Sequence, residues 1–186
     1  VNRSTYQDSL NLSFSEPYFT VDGVNVGYSI FSRETDYDKI NVSSFSTNSK
    51  GANVSWGYPV SEVERIGFGV GFENLEIRSG NYSSSEIRRF IDANGSNFDV
   101  FNLNLNWSKS TLNRGIFATR GASQRAALNF ALPGSGLEYY KMTYKGQYLR
   151  GLTRSLTLKL RADLGLGESY GDTTQLPFFK NFYGGG

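Results

Sequence analysis

Residues 101–107 read FNLNLNW, so Phe101, Leu103, Leu105 and Trp107 point one way while Asn102, Asn104 and Asn106 point the other. A period of two marks a strand, because residues i and i+2 lie on opposite sides of a helix. The stretch SLTLKLRADLGLG repeats the pattern. Leu156, Leu158, Leu160, Ala162, Leu164 and Leu166 share one face, and Thr157, Lys159, Arg161 and Asp163 the other. The same alternation recurs over 10–14, 24–30, 54–58, 66–72, 126–132 and 140–148. Eight strands are expected, preceded by what reads as the tail of another in VNRSTY. The composition, with 21 Gly, 12 Tyr and 14 Phe against four Pro, agrees with many strands and turns.

Two architectures produce such alternation: a soluble antiparallel sandwich with one wet face, and an antiparallel transmembrane β-barrel. Strand length separates them. Sandwich strands run about 5–6 residues, while a strand tilted near 45° needs about 9–11 to cross a bilayer. Several of these alternate for about 9–13 residues. The apolar faces also end in aromatics (Trp56, Tyr58, Trp107, Tyr148), as an interfacial girdle would. The barrel is therefore the expected fold, with the sandwich as the alternative. On that reading Phe101, Leu103, Leu105, Trp107, Leu128, Phe130, Leu156, Leu158, Leu160 and Leu164 face lipid. Asn102, Asn104, Asn106, Lys159, Arg161 and Asp163 then face the lumen.

The connections sort into two kinds. Short turns are expected at 17–23, 59–64 and 150–154, and longer excursions at 33–47, 77–97 and after Gly167. Short turns on one rim and long loops on the other suit an outer-membrane barrel. SKSTLNRGIFATRG is long for a turn and LPGSG short for an outer loop, and both break the pattern. Inside one excursion SSSEIRRFIDANG predicts a helix. Ser83 and Glu86 have capping-box spacing, Ile87, Phe90 and Ile91 share a face, and Gly95 suits the C-cap. Such a helix reads as a lid over the barrel mouth; Arg88 and Arg89 on it could meet lipopolysaccharide phosphate or simply be solvated.

Composition excludes much chemistry. There is no Cys and no His, which removes thiol and imidazole catalysis and the usual zinc sites. No catalytic residue, metal site or cofactor is expected. The net charge of +2 gives no special attraction to nucleic acid. Lys159, Arg161 and Asp163 read as a charge row satisfied across strands. GFGVG at 67–71 is not a phosphate loop, because its glycines alternate within a strand; it lets a neighbouring segment approach the wall closely.

Four stretches, in order, then resemble the BamA family of outer-membrane protein assembly factors: SEPYFTVDGVNVGY (15–28), LNRGIFATRGAS (112–123), ALPGSGLEYYK (131–141) and LPFFKNFYGGG (176–186). The similarity covers essentially the whole chain. It implies a 16-stranded barrel with periplasmic POTRA domains, of which residues 1–186 form a single partial-barrel domain, strands about 3 to 11. By resemblance, Pro17, Tyr18, Phe19, Asp22 and Gly23 form one periplasmic turn, and Arg114, Gly115, Phe117 and Gly121 belong to another. Ala118 stands where the family usually has Pro, and Arg120 where Asp is common. Leu176, Pro177, Phe178, Phe179, Asn181, Phe182, Tyr183, Gly184, Gly185 and Gly186 correspond to the stem of the sixth extracellular loop, ahead of a V-R-G-F tetrad.

The implied function is folding and insertion of β-barrel proteins into the Gram-negative outer membrane through a lateral seam formed by strands outside this chain. The implied partners are outer-membrane lipids and lipopolysaccharide, accessory periplasmic lipoproteins and unfolded client proteins. A two-partner secretion or translocation barrel and a porin-like barrel are the alternatives. The glycine-rich end, short of the tetrad, leads to the expectation that this is a fragment, an engineered piece or one ordered stretch of a longer polypeptide.

Overall fold

The computed structural model describes residues 2–38, 45–80, 85–153, 155–173 and 175–180. They form strands β1 (Asn2–Arg3), β2 (Gln7–Glu16), β3 (Asn25–Asp36), β4 (Phe45–Ser61) and β5 (Glu64–Ser79). Helix α1 (Ser85–Asn94) follows, then β6 (Asn97–Ser110), β7 (Gly121–Ala131), β8 (Tyr139–Gly151) and β9 (Thr157–Ser169). All nine strands make one antiparallel sheet in chain order, each paired with its predecessor. The long strands run from 10 to 17 residues, well beyond sandwich lengths. No helix among the described residues is long and apolar enough to cross a membrane.

Register holds the two faces apart over the entire width. Trp56 lies opposite Phe68, Phe68 opposite Leu105, Leu105 opposite Leu128, Leu128 opposite Met142 and Met142 opposite Leu166. On the other side Gly69 faces Asn104, which faces Asn129. A slip of one residue would exchange every side chain between the two faces. We call them the leucine face and the asparagine face. Large apolar side chains stay exposed on the leucine face, among them Leu12, Phe14, Ile30, Phe101, Leu160, Leu164 and Leu166.

The strands reach further than the alternation suggests, and the expected long loops shrink accordingly. β3 continues to Asp36 and β4 begins at Phe45, inside the expected excursion 33–47. β5 continues to Ser79 and β6 begins at Asn97, leaving 80–96 as the connection. The cause is a reversal of phase. Up to Phe72 the apolar residues of β5 point to the leucine face. Beyond it Leu75 and Ile77 sit on the asparagine face, while Asn74, Glu76 and Arg78 occupy the other. In β6 the exchange falls between Val100 and Phe101, with Phe98 and Val100 on the asparagine face.

At the opposite rim the turns are tighter than expected. β4 and β5 are joined by Glu62 and Val63 alone. Pro59 lies within β4, where the register shifts between Pro59 and Ser61 and so accommodates a residue that cannot donate to the ladder. β8 keeps Arg150 and Gly151 in the strand; Arg154 lies outside the described residues. Leu156 falls just before β9, where its carbonyl accepts from the backbone N–H groups of Leu152 and Thr153.

The buried core is therefore not between two sheets. It lies on the asparagine face at the long-loop end, where Phe45, Leu75, Ile77, Phe98, Val100, Ala131 and Tyr139 meet Ile87 and Phe90 of α1 and Phe178. The helix is the predicted one. Ile87 and Phe90 are buried, and Ile91 packs against the cluster. Gly95 has φ 89° and its N–H donates to the Ile91 carbonyl at 2.7 Å, a left-handed C-cap. Ser83 and the side chain of Glu86 lie outside the described residues.

Candidate functional site: the seat of segment 175–180

The chain after β9 returns across the asparagine face and docks on this core. Pro177 and Phe178 are buried, Leu176 and Phe179 half-buried, and residues 178–180 form one 3-10 turn. Phe178 is the anchor. Its ring stands edge-on to Phe45 (4.9 Å between centroids), Phe90 (5.6 Å) and Phe179 (5.2 Å). Such edge-to-face contacts add about 0.5–1.5 kcal/mol each beyond the area they bury. Asn181, Phe182, Tyr183, Gly184, Gly185 and Gly186 lie outside the described residues.

The approach to the anchor is fixed by Glu138, which the sequence reading passes over. Its carboxylate accepts from the backbone N–H groups of Gly134 (2.6 Å) and Asp172 (3.0 Å). Its own N–H donates to Thr173 Oγ1 (2.8 Å), and its carbonyl accepts from the Tyr170 N–H (3.0 Å). One residue thereby ties the β7–β8 loop to the turn after β9. Gly171 (φ 61°) completes the tie, since a Cβ there would stand 1.6 Å from Glu138 Oε2. Tyr170 stacks on Phe130 (5.3 Å, 8°) and donates its hydroxyl to the Ala131 carbonyl. Burial, reinforced by the Glu138 charge, raises the Tyr170 phenol above its ordinary pKa.

Below the anchor the asparagine face is polar. A cavity of about 300 Å³ is lined by Asn53, Asn102, Asn104 and Asn129, with Glu73 and Lys180 at one side. Asn129 donates its amide to Asn104 Oδ1. Asn102 Oδ1 is buried and meets no donor among the described residues. The Lys180 ammonium lies 5.6 Å from the centre of the Tyr139 ring and 5.8 Å from that of Phe179. Its backbone carbonyl accepts from Lys141 Nζ at 2.8 Å. Burial pulls the Lys180 pKa down, but Tyr139, Glu73 and Tyr37 outweigh it and the net direction is up, so the cation persists. Over the glycines of GFGVG the close neighbours are atoms of the adjacent strands β4 and β6. Asn106 folds over Gly67, where a Cβ would come within 2.5 Å of Asn106 Oδ1.

The other sequence-derived residues fall away from this seat. Arg161 and Asp163 pair with each other at 2.7 Å on β9, with Lys159 on the same face. In the turn between β2 and β3, Tyr18 and Phe19 are exposed, and the Phe19 N–H donates to the Val24 carbonyl at 2.9 Å. Pro17 and Asp22 belong to the same turn, and Gly23 adopts φ 81°. In the connection 111–120, Arg114, Gly115 and Phe117 are exposed. The loop is held instead by Asn113, whose Oδ1 accepts from the Thr119 and Arg120 N–H groups at 3.1 Å each. Gly121 (φ 111°) returns the chain into β7. Among the described residues, no acidic cluster is placed to hold a metal ion.

A continuous antiparallel meander of long strands, apolar on one face and carrying a helix and a docked segment on the other, is the wall of a bacterial outer-membrane β-barrel. The chain belongs to the Omp85 superfamily, whose domain model matches residues 1–186. It is 33% identical to the outer membrane protein assembly factor BamA of Neisseria meningitidis serogroup B, over 95% of this chain and 23% of that protein. The crystal structure of BamA from Haemophilus ducreyi lacking POTRA domains 1–3 superposes with a TM-score of 0.90 at 26% identity, over 99% of this chain and 37% of that one. The chain thus spans about a quarter of the curated relative's length.

Proposed function

We propose that this chain is part of the wall of a machine that folds β-barrel proteins and inserts them into the outer membrane. The observation that carries the reading is the 33% identity to an assembly factor along nearly the whole chain. In this reading the leucine face meets acyl chains and the asparagine face lines the lumen. Segment 175–180 is the stem of a long loop that folds back inside, held there by Phe178 and Glu138. The wall does no covalent chemistry; it presents a fixed lumen and a lipid surface. Insertion itself would occur at a lateral seam formed by strands outside these residues. There an unpaired edge costs several kcal/mol or so per backbone group in hydrocarbon, and an incoming strand can satisfy it. The partners are lipids and lipopolysaccharide, unfolded client barrels and accessory periplasmic lipoproteins.

Depletion of the protein carrying this chain tests the proposal. Simultaneous loss of many outer-membrane barrels is expected. Loss of one secreted substrate with the other barrels intact would mean a dedicated transporter instead.

A further inference from the structure

The leucine face is not uniformly convex. Near the short-turn rim it holds an apolar groove of about 400 Å³, within the range of roughly 300–1,000 Å³ typical of ligand clefts. The groove has a structural cause. Trp107 lies opposite Ala126, so a large side chain stands beside a methyl group and a depression opens between them. Trp56, whose ring packs 5.6 Å from Phe68, forms another wall, and Leu128 and Met142 extend the floor. Both tryptophans of the chain line this one groove.

At its rim the groove meets a charged pair. Trp107 Nε1 donates to Glu64 Oε1 at 2.8 Å, and Lys109 Nζ donates to Glu64 Oε2 at 3.0 Å. Glu64 and Lys109 are register partners on the leucine face, one step beyond the Ile66–Trp107 pair. Both charged side chains are partly exposed, at 25% and 41%. The ammonium has N–H donors beyond the one given to Glu64, and each carboxylate oxygen can accept again. The pair is neutral as a whole. A net anionic headgroup therefore gains no monopole attraction here, whereas a zwitterion can meet both charges.

We propose that this groove seats one glycerophospholipid of the leaflet at the short-turn side, its acyl chain along Trp56, Leu105, Leu128 and Met142. Its phosphate accepts from Lys109, and a primary ammonium on its headgroup donates to Glu64. A quaternary ammonium has no N–H to donate and is discriminated against. The proposal rests on the reading that the leucine face meets lipid.

The test uses the complete polypeptide that carries this chain, in vesicles, with tryptophans outside these 186 residues replaced by phenylalanine. Acyl-brominated phospholipids are introduced at low mole fraction, and Trp56 and Trp107 fluorescence reports contact. Quenching by the brominated primary-amine zwitterion should match a local enrichment on the order of tenfold over its bulk fraction, as one or two charge-assisted hydrogen bonds provide. Brominated quaternary-amine and anionic lipids should quench only in proportion to mole fraction. Glu64→Gln should abolish the selectivity between primary and quaternary ammonium, and Ala126→Leu should reduce the enrichment by filling the groove. Heat-modifiable gel mobility checks that both variants fold. Quenching that follows mole fraction for every headgroup overturns the seat but leaves the lipid face standing. No quenching by any brominated lipid overturns both.

Discussion

The assignment of the two faces can be tested on a single strand. On β6 the outward apolar run Phe101, Leu103, Leu105, Trp107 is bounded by Asp99 and Lys109, ten residues apart. At about 3.4 Å per residue the run spans roughly 34 Å, and a tilt of about 40–45° projects it to roughly 25 Å, the height of a barrel's apolar band. Leu103 sits one residue from the centre of that run, opposite Val70 and Phe130. Leu103→Arg in the complete barrel should therefore cost about 2–4 kcal/mol, the range for arginine at the bilayer midplane. Asn104→Arg is at the same depth on the other face. It loses the amide bond from Asn129, worth about 0.5–1.5 kcal/mol, and gains lumenal solvation. Leu158→Arg provides a depth control. Leu158 lies opposite Arg150 beside the turn, where the cost should fall to about 0–1 kcal/mol. Denaturant titrations of the three variants in lipid vesicles measure these differences directly. If Asn104→Arg proves costlier than Leu103→Arg, the faces are reversed. Equal costs at Leu103 and Leu158 would refute the depth argument.

Two further predictions concern the docked segment. Phe178→Ala removes a ring buried among Phe45, Phe90 and Phe179; a loss of about 3–5 kcal/mol of docking energy should speed hydrogen exchange over 170–180 while leaving β5–β8 protected. Equal exchange in wild type and variant would mean the segment is held by something else. Gly171→Ala forces a Cβ into the Glu138 carboxylate and should loosen the same segment, as should Glu138→Ala, which removes the bonds from the Gly134 and Asp172 N–H groups at about 1 kcal/mol each, since both donors can turn to water. The double variant should cost less than the sum, because both break one tie, and a double-mutant cycle measured by exchange reads the shortfall.

Most of the wall was legible because a strand's side-chain period is two and nothing else in the chain competes with it. FNLNLNW and SLTLKLRADLGLG each announce a strand and separate its two faces. The α1 helix was legible from Ile87, Phe90 and the capping Gly95. The strand ends at the long-loop rim were not, and the reason is physical. At Phe72 and Phe101 the inside and outside environments exchange roles. Below that level the leucine face is apolar and the asparagine face polar; above it the leucine face is polar and the asparagine face is packed beneath α1. A reading that follows one apolar phase stops where the phase reverses and calls the remainder loop. The residues ENLEI and NFDVF did carry the signal, as alternation displaced by one position.

The same reversal explains why the docked segment is where it is. A purely polar lumen would offer Pro177 and Phe178 nothing to bury against, and the segment would have to pay its ordering entropy from hydrogen bonds alone. By turning their apolar residues inward above the Phe72–Phe101 level, β4 to β6 create a floor, and α1 supplies the opposing wall. Glu138 then fixes the path of entry, because its carboxylate is satisfied only when Gly134 and Asp172 both approach it. Lys180 emerges just past the anchor, over the boundary between the packed mouth and the amide-lined cavity, with Glu73 on the wall beside it. Moving the phase reversal by one step along β5, for example by exchanging the identities of Asn74 and Leu75, should release the segment and speed its hydrogen exchange even though the rings of Phe45, Phe90 and Phe179 that meet Phe178 are unchanged.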